Sequence, residues 1–482
     1  MSVIQVNAQK LMGLDRRMWP IIMMIGLFGW IVMKDIRMPS EILGVFAAMG
    51  LLGLFMTSVG SPELGLYVLI AYLPFSRELV GDFGTDAYAF NLTNILTLWV
   101  FGAYVLNRSG KGKGLFQGSP LSNVILLFCA LGGASLIRAG FEHGSWYIWE
   151  FVTPLKRWLT PIFFFYLALW IVEDRRVLKS AAVLIMITVG IVALMAIRDY
   201  MNAGTGSLEK TRVGAIADQP NMLAAFFVYY MFLFLGFFLT LKKSSLKTWF
   251  FLVPFLMSFR GIMVTFSRGG YLGFAAGGLG ACWHKSKILF IIACAALAFA
   301  IANPWVLPKG VQYRMGMTVK SHAALGEGVV AESLDESAGN RIRIWRGAIA
   351  MVKDYPWWGV GYGAFPGYIG SYTAGEFPQV DAHNSYLLIA AEMGIPTLIV
   401  FVLVIGVGWY QARWLYIRTK DVTLRAIALG MLAGIEGLLV VNMFGSRMDD
   451  QAVSSYFWIL LGLVMRGVLI EREELRQAVK VV

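Results

Sequence analysis

Residues 381–389, DAHNSYLLI, set an imidazole at the lip of an apolar run in a chain that holds four histidines. His383 is the candidate general base, because an imidazole ordinarily titrates near pH 6.5 and can take a proton at neutrality. Asp381 or Asn384 could fix its tautomer. A lone histidine more often serves only as a structural hydrogen-bonding group. Its position at the mouth of a span, two residues after a carboxylate, is what favours chemistry. His284 falls on the side read as cytoplasmic, and His143 and His322 lie in polar loops with no accompanying pattern.

Arginines supply the second chemical element. Arg212 precedes a helix expected to begin around Gln219, Pro220 and Asn221, with the proline suited to a first turn. Arg268 stands in TFSRGGYLG at the end of a span, Lys156 and Arg157 open another, and Arg341, Arg343 and Arg346 lie on one helical stretch. Each alone could be an arginine snorkelling from the membrane border toward head groups. Together on one face, guanidiniums suit a lipid-linked diphosphate, since they bind phosphate oxygens bidentately and keep their charge. Arg314 sits in the same loop without a motif and is expected to be a bystander.

Two other patterns carry less. GVGYGAF (359–365) has glycine spacing that suits phosphate, but no strand–turn–helix unit surrounds it, so a turn is expected. Asp449 and Asp450 are adjacent carboxylates without further ligands, a weak basis for a metal site.

The elements that must position these residues are membrane helices. Hydrophobic residues make up 58% of the 482 and charged ones only 15%, too few charges to coat a water-facing surface. Apolar runs near 18–33, 41–58, 62–75, 91–106, 120–138, 158–172, 180–197, 221–241, 248–265, 269–283, 287–302, 395–412, 424–443 and 451–469 give fourteen candidate spans. The fold class expected is therefore an all-α integral membrane protein, a bundle of about 12–14 transmembrane helices with one large extracytoplasmic loop containing amphipathic helices. More than half of the 41 lysines and arginines fall in connections that share a side with both termini, so both ends read as cytoplasmic, KDIR at 34–37 being the exception. The segments are an N-terminal bundle (1–302), a loop (303–382) and a C-terminal membrane segment (383–482).

Within the loop, ALGEGVVAESLDESAGN reads as weakly ordered. NRIRIWRGAIAMVKDYP then reads as an amphipathic helix capped by Asn340, with Ile342, Trp345, Ile349 and Val352 on its apolar face. Cys129, Cys282 and Cys294 lie in apolar runs and read as small core residues. The net charge of +12 is scattered between spans, which reports topology and not a nucleic-acid partner.

HNSYLLIAAEMGIPT, with His383, Asn384, nine residues, Gly394 and Thr397, resembles the signature of the O-antigen ligase/polymerase superfamily. GNRIRIWRGAIAMVKDYPWWGVGYGAF resembles its loop segment, TRVGAIADQPNMLA its helix entrance, and TFSRGGYLG its S-R-G turn, all in the family's order across roughly 210–410. The resemblance implies a GT-C-like bacterial inner-membrane transferase that moves a glycan from undecaprenyl diphosphate to an acceptor. That acceptor is lipid A core in ligases, a second lipid-linked glycan in polymerases and a protein hydroxyl in oligosaccharyltransferase relatives. His383 would match the catalytic histidine, and Arg212 and Arg341 the diphosphate-binding arginines, joined by Arg268 and Arg157. Asn384, Asp381, Arg343 and Arg346 would support them, although the last two crowd Arg341. Neither a nucleotide nor a redox cofactor is implied, and fixed guanidiniums would take the role of a metal. The chain departs from the family in having more spans than is common. The alternative, a polysaccharide or lipid transporter, would place its charges near the bilayer midplane and repeat its halves; the polar groups here gather at one surface.

Overall fold

The computed structural model describes residues 13–33, 58–76, 91–112, 114–203, 212–217, 219–320, 336–448 and 450–480. Within a bilayer, backbone N–H and C=O groups find no water, so apolar segments satisfy them internally as helices. Every expected span falls on a helix except 41–58, which lies outside the described residues apart from Ser58. Among the described residues there is no strand. The protein is an all-α membrane protein.

Seven helical stretches are long and apolar enough to cross a bilayer: Ser122–His143, Arg175–Asn202, Pro220–Thr240, Leu246–Thr265, Ser385–Arg418, Val422–Phe444 and Gln451–Val479. Pro62–Phe75 and Lys287–Ala302 are apolar but shorter. Hydropathy alone predicts more spans, and one boundary shows how it differs. The helix expected to open at Lys156 and Arg157 starts at Ser145, just after Gly144 (φ 99°), and both cations lie inside it.

Two central helices, Arg268–Lys285 and Val422–Val441, run antiparallel in close contact. A Cβ at Gly277 would lie 2.6 Å from the Ala433 carbonyl oxygen, and one at Gly437 would lie 2.9 Å from that of Gly273. Small residues let helix backbones meet this closely where lipid supplies no hydrophobic drive. The pairing brings Arg268, at the start of one helix, to the end of the molecule where the other helix finishes.

At that end lie three loop helices: Lys309–Lys320, Glu336–Asp354 and Phe365–Tyr372. The first and third were not legible in the sequence. The second begins at Glu336, so Asn340 sits inside it and does not cap it. Its buried stripe is Ile344, Ala348 and Met351, while Ile349 is exposed. The face is rotated because Gly347 is the point of contact: a Cβ there would lie 2.9 Å from Thr373 Cγ2 and 3.0 Å from Ile369 Cδ1. Most of the Gly/Ser-rich tract and His322 lie outside the described residues.

Candidate functional site

The chain enters the Ser385–Arg418 helix through His383, whose φ of 49° is in the left-handed region. That conformation is strained for a residue with a side chain, though histidine tolerates it better than most. Asn384 caps the helix: its Oδ1 accepts the Tyr386 N–H at 3.0 Å and the Leu387 N–H at 3.1 Å. Its amide therefore serves the helix start, and orientation of the imidazole falls to Asp381. Asp381 Oδ2 lies 3.3 Å from His383 Nδ1 and accepts the His383 backbone N–H at 3.1 Å. Its other oxygen accepts from the Ser446 hydroxyl at 2.9 Å.

Burial pushes the Asp381 carboxyl up, but the His383 side chain, the Ser446 hydroxyl and the His383 backbone N–H together hold it below its ordinary 3.8. An ionised Asp381 favours the tautomer with its proton on Nδ1, leaving Nε2 as the basic nitrogen. The imidazole is nearly half exposed, so a substrate can reach it.

Gly394 breaks this helix with φ 85°. A Cβ there would lie 2.2 Å from the Trp357 carbonyl oxygen. The Ile395 N–H donates to Pro356 at 2.8 Å, and the N–H groups of Val360 and Gly361 donate to Ala391 and Glu392 at 2.8 and 2.9 Å. GVGYGAF is thus a turn packed on the kink, and the spacing from His383 to Gly394 measures one helical arm between cap and dock.

Four arginines meet in a small open cleft of about 70 Å³, lined by Arg212, Arg268, Arg314 and Arg341 together with Asn221, Ser267, Gly269, Phe266 and Phe444. Arg212 is held by the Thr265 carbonyl (Nε, 3.0 Å) and Asn221 Oδ1 (Nη2, 3.1 Å). Arg268 is the first residue of its helix, and Ser267 caps that helix by accepting the Gly270 N–H at 3.4 Å. The S-R-G turn therefore aims a helix N-terminus, with its partial positive charge, at the same cleft. Arg314 comes from the Lys309–Lys320 helix and is only 8% exposed. An arginine without a motif thus lines the cleft beside the three that have one. The arrangement suits a compact, multiply charged anion.

One turn of the Glu336–Asp354 helix connects cleft and histidine. Arg341 lines the cleft, and Trp345, four residues on, donates its indole N–H to the Ala382 carbonyl at 3.0 Å. The Trp345 ring lies 6.2 Å from that of Phe444, which lines the cleft. The 442–447 turn completes the frame: Ser385 Oγ bonds Asn442 Oδ1 at 2.9 Å, Asn442 Nδ2 donates to the Tyr229 hydroxyl at 2.8 Å, and buried Arg447 donates to the Phe444 carbonyl at 3.0 Å.

Residues 253–402 match the O-antigen ligase family model. The resemblance seen in the motifs is to this family, which supports glycan transfer of the ligase/polymerase type. The O-antigen ligase match contains Arg268, Arg314, Arg341, Asp381, His383 and Gly394, whereas Arg212, Phe444 and Ser446 come from outside it. No curated protein matches the chain.

Other expected residues stand apart from the cleft. Arg157 is exposed on the Ser145–Ile171 helix, and Arg346 is exposed on the loop helix. Arg343 bonds Asn340 at 2.6 Å, lies 3.5 Å from Glu376 and stacks over Phe377. These three do not line it. Asp450 accepts the Val453 N–H at 3.0 Å at the start of the last helix, and Asp449 lies outside the described residues. His284 bonds Glu436 at 2.8 Å, and the His143 ring lies 5.0 Å from that of Tyr147, tilted by 36°.

Proposed function

We propose that the protein transfers a glycan from an undecaprenyl-diphosphate donor to an acceptor hydroxyl at the outer face of the bacterial inner membrane, as an O-antigen ligase or surface-polysaccharide polymerase. The observation that carries this reading is the convergence of Arg212, Arg268, Arg314 and Arg341 on a helix N-terminus, one helical turn from the tryptophan that holds the chain beside His383. The diphosphate sits among the guanidiniums, with both termini of the chain cytoplasmic and the 303–382 loop periplasmic.

In the reaction, the acceptor hydroxyl attacks the anomeric carbon. His383 Nε2 takes its proton while Asp381 stabilises the imidazolium. The bond from the anomeric carbon to the diphosphate oxygen breaks, and its electron pair leaves with undecaprenyl diphosphate. Charge on that leaving group grows in the transition state, where fixed guanidiniums already point at it. They supply the positive charge that a divalent cation supplies in many glycosyl transfers, and the energy is already stored in the sugar–diphosphate bond. A single displacement inverts the anomeric configuration.

The test is transfer by the purified protein in lipid nanodiscs from a glycan–diphosphate donor of known anomeric configuration, with the product linkage read by NMR. An inverted linkage is expected. Retention would contradict direct displacement, and movement of the donor across vesicles without any new glycosidic bond would make the protein a transporter.

A further inference from the structure

We propose that the protein binds an anionic phospholipid at the end of the bundle opposite the arginine cleft, on a surface of cations and aromatic rings built around Lys243, Lys285, Lys287 and Arg413. Lys285 closes the helix that Arg268 opens, so this surface and the cleft are ~27 Å apart by that helix's length. With the topology given above, the lipid belongs to the cytoplasmic leaflet.

The chain gathers these cations through short connections. Ser286 alone separates the Arg268–Lys285 and Lys287–Ala302 helices, so two lysines flank one serine. Lys243, in the connection before the Leu246–Phe250 helix, is near enough to Lys285 to feel its charge, and Arg413 stands in the same relation to Lys287. All four residues are exposed. Around Asp421, Arg175 and Lys179 have carboxylate partners, but among the described residues none of these four cations forms an ion pair. Glu436, the carboxylate beside His284, is already engaged: His284 Nε2 bonds it at 2.8 Å and the Trp409 indole N–H donates to it at 2.9 Å. Lost hydration, and then the Lys285 ammonium, lowers Lys243 from its ordinary 10.5. A bound anion relieves such crowding of like charges.

The surroundings of the charges favour a lipid over a soluble anion. Lys243 Nζ lies 3.1 Å from the centre of the Phe238 ring, Lys287 Nζ 2.7 Å from that of Trp283, and the Arg413 guanidinium 5.8 Å from that of Trp409. Leu246, Phe250 and Ile288, in or next to the same connections, are largely exposed. Cations over aromatic rings at span ends, with bare apolar side chains alongside, present a head-group site above an acyl-chain surface. A soluble phosphate would meet the charges and leave the apolar side chains in water. A head group shared by Lys287 and Arg413 would also tie together the far ends of two helices that matter to the cleft. One begins at Arg268, and the other follows His383.

Native mass spectrometry of the full-length protein in detergent micelles tests this, with phosphatidylglycerol or phosphatidylcholine of the same acyl chains titrated in. The wild type should retain phosphatidylglycerol in preference to phosphatidylcholine. Replacing Lys243, Lys285 and Lys287 together by glutamine should weaken that retention roughly tenfold or more. Replacing the same three by arginine keeps the charge and should preserve retention, which separates lost charge from lost folding. Lys111→Gln, at an exposed lysine just beyond the Leu92–Gly110 helix, should match the wild type. Unchanged retention by the glutamine variant, an equal loss in Lys111→Gln, or equal retention of phosphatidylcholine overturns the inference. Displacement of the lipid by excess inorganic phosphate also overturns it, making the surface a site for soluble anions. No readout involves glycan transfer, so the outcome is independent of the transferase reading.

Discussion

Cations at the two ends of the bundle do different work. Where the Val422–Val441 helix begins, they answer carboxylates: Arg175 lies 2.7 Å from Glu471 and 2.6 Å from Glu474, Lys179 lies 2.5 Å from Asp421, and Arg108 pairs with Glu173. At the other end of that helix, ~30 Å away by its length, four arginines surround a concavity whose described lining residues include no carboxylate. The first set joins helices to one another. The second lines a cleft together with a helix N-terminus, a setting that suits an anion. In the sequence both sets are simply basic residues at span ends, and only the fold shows that four of them line one cleft.

The largest expected effect concerns the base. His383→Ala should insert normally and keep donor binding while transfer falls about a hundredfold or more, the usual range for a lost general base. Asp381→Asn should cost less, roughly tenfold or more in kcat with little change in KM, since it disturbs the tautomer and not the donor. Near-normal transfer by purified His383→Ala would remove the proposed base.

Next come substitutions that set one end against the other. Arg212→Lys, Arg314→Lys and Arg341→Lys keep a positive charge but lose the planar fork, and each should lower kcat/KM by roughly tenfold or more. Arg175→Lys, at the opposite end, should leave transfer within about twofold, because a partly exposed ion pair contributes little. Equal losses at both ends would dissolve the contrast and point to general destabilisation. The smallest effect is that of chelation: excess EDTA should leave transfer unchanged. Loss restored by Mg²⁺ would return Asp449 and Asp450 to consideration.

How much of this was legible in the sequence varies by residue. The membrane helices were, because a bilayer imposes their length and apolarity directly. His383, Asp381, Arg212, Arg268 and Arg341 were visible as side chains at span borders or in motifs. Arg314 was not: its helix carries no motif, and its place in the cleft depends on Gly310 resting on Phe266. Ser446 was hidden because its bond to Asp381 joins segments 65 residues apart. Asn384 was read as a partner for the imidazole, yet the nearest orphan N–H groups were those of the helix it begins. Helical periodicity revealed the loop helix and placed Trp345 and Val352 on its packed side, but the buried stripe is rotated to Ile344, Ala348 and Met351 because a glycine, which apolar patterning does not count, sets the contact.

The most direct test of the central claim leaves out sugar and acceptor alike. Binding of undecaprenyl diphosphate, the proposed leaving group, can be measured by titration to the purified wild type, Arg212→Lys, Arg314→Lys and Arg175→Lys in nanodiscs of one lipid composition. The account predicts similar affinity for wild type and Arg175→Lys, and affinity weaker by roughly tenfold or more for Arg212→Lys and Arg314→Lys, as expected for losing a charge-assisted bidentate contact. Equal binding by all four proteins would contradict it.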